Sequence, residues 1–396
     1  MRVLQIIGSV AAELGGVLEG VRMLSEDWSS AGHDVEVATL DAPGFPDALA
    51  FPVPVHTLGP RHTRWAYSPT FYHWLKEHHH EYDFVVVHGL WQYQSFAAWR
   101  ALSGGSTPYV AFAHGMLDPY FRKRYPFKHF QKMIVWPWSD YRMLRDAAAV
   151  IFTCDEEKHL ARNTFAPYSA REIVVGYGTK KSPVPLPEAR RAFLSRFPGL
   201  QGKRLLTYVG RLHPKKGCDL LIEAFAAALA QDDSWHLVMA GPNLDDWEKD
   251  LRQIASKLKI EDRITWTGML QHEFKWGAIA ASELLILPSH QENFGLVVAE
   301  ALACGVPVVV TNQVNIWREI EAGGAGIVTI DTLEGIQEAL ARWNELSPDL
   351  RERISENAVA CFEKNFDIHL VSSRLMRTLE SLSRVPNRHQ SLVLQS

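Results

Sequence analysis

Cysteine is scarce in this chain: Cys154, Cys218, Cys304 and Cys361 are the only thiols in 396 residues. They stand too far apart for a zinc pattern and suit reduced thiols, so a disulfide scaffold is not expected and a cytoplasmic setting is. Long apolar runs are missing too. No stretch reaches the ~18 apolar residues of a membrane span, and the N-terminal apolar run breaks at Gly8 and Glu13. Neither sign of charge dominates. With Lys+Arg at 41 against Asp+Glu at 45 the net charge is -4, and 22% of residues are charged, values unlike those of a nucleic-acid binder. There is no internal repeat beyond a gross similarity of the two halves, and no low-complexity tract.

What is present is a chain too long for one compact core, so two domains are expected. The apolar run Leu284 to Pro288 predicts a buried strand, Phe294 to Ala303 a helix ended by Gly305 and Pro307, and Val306 to Thr311 the next strand. That is a β-loop-α-β unit of a parallel sheet, whose loop lies at the carboxyl edge where ligands bind. Gly295 would let backbone N–H groups approach a phosphate at the helix start. Glu292 stands in the loop and Glu300 about two turns into the helix at 3.6 residues per turn. A carboxylate beside a diphosphate is repelled by it, so its task there is to accept hydrogen bonds from neutral hydroxyls of a sugar or ribose. The alternative is an ordinary amphipathic helix with two exposed glutamates.

A second anion signal lies about eighty residues upstream in LLTYVGRLHPKKGCDLLIEAF, where a strand ends at Gly210 and a helix begins near Cys218. Arg211 offers a planar donor fork and Lys216 a compact charge, a pair able to grip both phosphates of a departing diphosphate. Lys215 is a substitute for Lys216, and two solvated surface cations are the alternative reading.

Together these segments resemble the family-4 retaining glycosyltransferases of the GT-B fold, group 1 glycosyltransferases. The resemblance rests on Gly210, Arg211, Lys216 and Gly217, and on Glu292, Phe294, Gly295, Glu300 and Ala301. It implies an α/β chain of two Rossmann-like domains facing across a cleft, with a C-terminal helix crossing back to the first. The implied domains are 1–180 for the acceptor and 181–368 for the nucleotide sugar, followed by 369–396 as returning helix and polar tail. It also implies that Arg211 and Lys216 hold the donor diphosphate, Glu292 faces the transferred sugar and Glu300 takes the ribose hydroxyls. Backbone from Asn293 through Phe294, Gly295, Leu296 and Val297 would complete the cradle. Gly268, Met269 and Leu270 fall where the family lines the nucleobase with main chain.

The first half opens as a Rossmann-like unit, with a strand in MRVLQIIGSV, a helix after Gly15 and Gly16, and a second strand from His33 to Thr39. It carries no G-x-G-x-x-G, and no acid closes the second strand, since Asp41 comes just after it; a dinucleotide oxidoreductase is disfavoured. In the resembling family a Gly-Gly loop covers the diphosphate, which makes Gly15 and Gly16 contacts, although Glu13 and Leu14 replace residues often small or polar there. Two further apolar runs end in His88-Gly89 and His114-Gly115. A histidine at that sheet edge is a hydrogen-bond donor or base, or a helix cap. HGMLDPYF resembles the HGMLDPW segment of bacterial family members, which selects His114 as the residue facing the donor sugar, with Asp118 and His88 behind it. Val175 to Leu186 reads as the linker, and Gly176-Tyr177-Gly178-Thr179 replaces the family's Asn-Gly-Val-Asp-like turn.

From Tyr120 to Trp138 the sequence interleaves Arg122, Lys123, Arg124, Lys128 and Lys132 with aromatics and contains no acid. That composition suits peripheral contact with the cytoplasmic face of an anionic inner membrane; the alternative is a helix with aromatics packed inward. His78, His79 and His80 point in different directions on any regular element, and no metal is assigned. The D-x-D metal signature of the other large glycosyltransferase fold is absent, so Arg211 and Lys216 would take the metal's electrostatic place. No cofactor is expected. The expected activity is transfer of a hexose from a UDP- or GDP-linked sugar, with retention, to a saccharide or lipid-linked acceptor in surface or exopolysaccharide synthesis. A nucleotide-sugar epimerase, a phosphorylase and a non-catalytic nucleotide-sugar-binding protein remain alternatives.

Overall fold

The computed structural model describes residues 1–12, 15–60, 63, 65–243 and 246–383. Glu13 and Leu14, and the tail Arg384 to Ser396, lie outside the described residues. The chain divides into two units, one made of Met1–Tyr177 with the closing helix Ile368–Ser383, the other of Gly178–Asp367. The divisions fall at 177/178 and 367/368, against expected boundaries at 180/181 and 368/369.

In the first unit the strands are β1 (Arg2–Ile6), β2 (Asp34–Thr39), β3 (Val55–Thr57), β4 (Phe84–His88), β5 (Tyr109–Phe112), β6 (Ala149–Phe152) and β7 (Glu172–Val174). They form one sheet in the order β3-β2-β1-β4-β5-β6-β7, parallel throughout. The second unit has β8 (Arg204–Val209), β9 (Trp235–Ala240), β10 (Ile264–Gly268), β11 (Leu284–Leu287), β12 (Val308–Thr311) and β13 (Gly326–Thr329). Their order is β10-β9-β8-β11-β12-β13, again all parallel. Both sheets follow the doubly wound order. The strand order reverses between β1 and β4 in one and between β8 and β11 in the other, which opens a crevice at the carboxyl ends of those strands.

The strand sequences explain this arrangement. FVVVH of β4, YVAF of β5, LLIL of β11 and VVVT of β12 are buried at every position. Continuous apolar runs of β-branched and aliphatic residues fit strands covered on both faces by helices, the setting of parallel sheets.

The helix expected from Phe294 begins two residues later, at Leu296. Gly295 sits in the left-handed region at φ 78 and breaks the helical path before it, while Phe294 turns inward, 5% exposed, with its ring edge-on to Phe366 at 5.6 Å. The closing helix Ile368–Ser383 belongs to the first unit. There Trp28 Nε1 donates to the Ser372 carbonyl at 3.2 Å, and an Arg374 guanidinium nitrogen donates to the Val175 carbonyl at 3.0 Å.

The segment from Tyr120 to Trp138 folds as the helices Tyr120–Arg124 and Pro126–Val135 and a short turn Trp136–Trp138. Inward packing of its aromatics, one of the two expectations, is overturned. Phe127 is 72% exposed, Phe130 61%, Ile134 59% and Trp138 67%, and of the aromatic residues in this stretch Trp136 is the one fully buried. Arg122, Lys123, Arg124 and Lys128 are exposed beside them, and Lys132 lies over the Trp91 ring at 4.3 Å. Among the described residues no helix is long and apolar enough to cross a membrane.

Candidate donor site

The β8 and β11 loops meet where the second sheet reverses its order. After β8 the chain passes Gly210 and Arg211 into a turn, Pro214–Lys216, that Gly217 ends at φ 65. A Cβ on Gly217 would stand 2.2 Å from the Pro288 carbonyl, so glycine lets this loop press directly against the end of β11. The Lys215 carbonyl accepts from the His290 N–H at 2.9 Å, and Lys215 Nζ donates to Gln291 Oε1 at 2.9 Å. The Lys216 ammonium is paired with the Glu292 carboxylate. Two motifs far apart in sequence thus meet side chain to side chain.

Glu292 is held from behind. Its N–H donates to the Gln313 carbonyl at 2.9 Å, and its own carbonyl accepts from the Asn315 N–H at 3.0 Å, a one-residue parallel bridge to the segment after β12. Burial alone would raise its carboxyl, but the charge and hydrogen bond of Lys216 outweigh burial and keep it below the usual carboxylate range. Asn293 is tied to the same segment, with its Oδ1 3.4 Å from Asn315 Nδ2.

Arg211 is exposed. Its carbonyl accepts from the Tyr208 hydroxyl at 2.8 Å, which anchors the loop, while its guanidinium has no hydrogen bond or ion pair among the described residues. Beyond Gly295, Leu296 and Val297 begin a helix of eight residues, and Val298 N–H is already satisfied by the Gly295 carbonyl at 2.8 Å. Glu300, 6% exposed, pairs with Lys275 at 2.6 Å. Lys275 was not singled out from sequence, because it comes from the helix His272–Ala281 with no pattern linking it to Glu300. Gly268 ends β10 at φ 65, beside a shift in register, and Met269 is 62% exposed. Leu270 instead packs its side chain against the core around Phe193 and Leu205, which leaves only its main chain to offer.

In the first unit, the crevice edge carries Gly15, Gly16, His88 and His114. Gly15, at φ 66, precedes the helix Gly16–Ser30, and both glycines are exposed. The Gly16 carbonyl accepts from the Tyr177 hydroxyl at 2.9 Å, so the linker segment Gly176 to Thr179 supplies a tie to the glycine loop. Tyr177 also stands edge-on to the His114 ring, 5.8 Å between centroids. His114 adopts φ 49, a strained setting for a residue with a side chain, and the Gly115 N–H beyond it donates to the buried Glu157 carboxylate at 2.5 Å. His88 is 2% exposed, and its Nδ1 lies 3.0 Å from His114 Nε2. Burial pushes the His114 imidazole down to about 3 and drives His88 well below its ordinary value, with the neighbouring ring adding to the effect on His88. Asp118 accepts from the Tyr120 N–H at 2.7 Å, a local turn bond.

His78 and His79 are engaged separately, with Glu81 at 2.7 Å and Thr107 at 3.1 Å. Among the described residues no group of three or more His, Cys, Asp or Glu side chains is placed to hold a metal ion.

Residues 15–178 match the family described as Glycosyl transferase 4-like domain, and residues 191–360 match Glycosyl transferases group 1. Alpha-D-kanosaminyltransferase of Streptomyces kanamyceticus is 30% identical over 227 residues, 56% of this chain and 57% of that protein. The chain spans about half the length of the curated relatives it matches. Sucrose-phosphate synthase from Thermosynechococcus elongatus superposes with a TM-score of 0.79 at 20% identity, over 96% of this chain and 99% of that one. HepE of Anabaena, solved in complex with UDP and glucose, gives a TM-score of 0.75 at 21% identity, over 96% and 100%. With each unit matched to its own glycosyltransferase model and its fold shared across the described chain, the protein is built of a Glycosyl transferase 4-like domain followed by a Glycosyl transferases group 1 domain in the GT-B fold.

Proposed function

We propose that this chain is a glycosyltransferase that moves a hexose from a nucleotide diphosphate sugar, UDP- or GDP-linked, to a hydroxyl of a saccharide or lipid-linked saccharide. The observation that carries this reading is the pairing of Lys216 with Glu292 at the β8/β11 reversal, on a loop that also carries Arg211. There an exposed guanidinium stands on the same loop as a lysine already held against an acid. A diphosphate arriving at that loop draws Lys216 away from Glu292, and the freed carboxylate accepts hydrogen bonds from sugar hydroxyls. Glu300, with its charge balanced by Lys275, takes the ribose hydroxyls.

In the reaction the bond from the anomeric carbon to the β-phosphate oxygen breaks, and a bond from that carbon to the acceptor oxygen forms on the same face. The departing phosphate oxygen takes the acceptor's proton, so configuration is retained without a protein nucleophile. Arg211 and Lys216 stabilise the charge that develops on the leaving diphosphate. Gly15 and Gly16 are proposed to meet the diphosphate through their backbone, and His114 the sugar through its imidazole. The UDP and glucose held by HepE support a UDP-sugar as donor.

The acceptor is proposed to be lipid-linked and met at an anionic membrane surface, in synthesis of a surface polysaccharide. Support for this comes from the outward Phe127, Phe130, Ile134 and Trp138 beside Arg122, Lys123, Arg124 and Lys128. Slow hydrolysis of UDP-, GDP- and ADP-sugars by the purified protein tests the donor reading and names the base. Release of sugar from one of them is expected; turnover of none, with no binding of any free nucleoside diphosphate, would overturn it.

A further inference from the structure

A one-way chain of hydrogen bonds in the first unit ends on His114. It starts inside the helix Gly16–Ser30, where the Ser25 hydroxyl donates to the Val21 carbonyl one turn back at 2.8 Å. With its single proton committed there, Ser25 Oγ is an acceptor. The Gln5 side-chain atom 2.6 Å from it is therefore the amide nitrogen, and the Gln5 carbonyl oxygen faces the other way. That oxygen lies 3.0 Å from His88 Nε2, so this nitrogen carries the His88 proton. His88 Nδ1 is then a lone pair, 3.0 Å from His114 Nε2, which donates to it. Each link decides the next.

The chain holds only while His88 is neutral, and His114 keeps a lone pair at Nδ1 only while it is neutral too. A charged His88 would present an N–H at Nδ1 and reverse the last bond. Gln5 and Ser25 are fully buried and His88 nearly so, in a setting that disfavours the imidazolium and leaves no water to compete for these bonds. Sheet order makes the contacts: Gln5 lies on β1, His88 ends β4, which pairs with β1, and His114 follows β5, which pairs with β4.

We propose that Gln5 and His88 are positioning residues that fix His114 as its Nε2–H tautomer, so that Nδ1 is the lone pair His114 offers to substrate. This rests on the assignment of His114 to the donor site. Its chemical consequence is selective. A lone pair accepts from an O–H and repels an ionised phosphate oxygen, so the group met by His114 is a sugar hydroxyl and not the diphosphate.

The test uses full-length protein labelled with 15N-histidine, read by long-range proton–nitrogen correlation at pH 7 and assigned with His88→Leu and His114→Ala. Both rings are expected in the Nε2–H pattern; an Nδ1–H pattern at His114 overturns the proposal. His88→Leu removes the acceptor, whereas His88→Asn places an amide oxygen where Nδ1 stood. His88→Leu is expected to lower kcat about tenfold with KM for the donor within about twofold, and to blur the His114 tautomer pattern. His88→Asn is expected to restore most of kcat and the Nε2–H pattern. Equal kcat in both variants and wild type, with each folded by urea titration, overturns the proposal. Full turnover by His114→Ala overturns the donor-site assignment itself, whereas an inactive His114→Ala together with an Nδ1–H pattern at His114 in the wild type overturns the relay alone.

Discussion

The Lys216 ammonium is paired with the Glu292 carboxylate across 76 positions of sequence, in the same loop cluster where Arg211 stands exposed. In the proposed site the cation serves the phosphate and the acid the sugar, and the two neutralise each other until a donor parts them. Removing the acid should separate these roles. Glu292→Gln keeps the shape and frees Lys216, so affinity for the free nucleoside diphosphate is expected to hold or to rise severalfold, while sugar transfer falls at least about tenfold. Isothermal titration with the diphosphate and initial-rate kinetics with the sugar donor read the two effects. Parallel loss of both would contradict the division of labour.

Gly217 should be intolerant of any side chain. With its φ of 65, and with the Pro288 carbonyl 2.2 Å from where a methyl group would stand, Gly217→Ala is both strained and overpacked. A loss of about 2 to 4 kcal/mol is expected, measured as a shift of the urea midpoint. A change below about 0.5 kcal/mol would mean that this loop does not press on β11 as described.

Acid should destabilise the first unit through its histidines. The His114 pKa in the folded protein is down to about 3 and that of His88 is well below its ordinary value, against about 6.5 in the unfolded chain. Below about pH 6.5 the unfolded chain binds protons that the folded one refuses. Stability present in full above that pH is therefore lost as pH falls, by about 1.4 kcal/mol per pH unit for each ring, until the folded pKa is reached. Urea titrations between pH 6 and 4.5 should show a slope shallower by about that amount in His114→Asn. Identical slopes would contradict the buried neutral ring.

The outward aromatics of the helix Pro126–Val135 predict binding to anionic vesicles. Each basic side chain near such a surface adds about 1 kcal/mol, so changing Arg122, Lys123, Arg124 and Lys128 to Ser should weaken co-sedimentation on the order of a hundredfold or more. Raising salt should weaken the wild type in the same direction. Equal sedimentation of wild type and variant, or none by either, would remove the membrane from the proposed function.

Much of this was legible in the sequence for a physical reason: parallel strands buried on both faces leave continuous apolar runs, and the loops that follow them carry glycine and charge. Arg211, Lys216, Glu292 and Glu300 stood out because each occupies such a loop or the helix after it. What was not legible depends on pairing between distant strands. Nothing in the composition of β1 marks Gln5 as a partner of His88, since only the order β1-β4-β5 brings them together. Lys275 is equally silent, one basic residue on a helix that the fold sets beside Glu300. The face of the 120–138 segment was open as well, because interleaved cations and aromatics do not say which of them turns inward. The helix start moved from Phe294 to Leu296 for a local reason, the left-handed Gly295, which propensity alone does not register.

Arg211 and Lys216 are proposed to stabilise a departing diphosphate. The most direct measurement is the rate of nucleotide-sugar hydrolysis by the Arg211→Ala/Lys216→Ala double variant, compared with wild type on the donor that wild type turns over. Each cation removed takes away charge stabilisation that matters most as the bond breaks, so a loss of at least about tenfold is predicted in a variant that unfolds at a similar urea concentration. A double variant that hydrolyses the donor at close to the wild-type rate would contradict the claim.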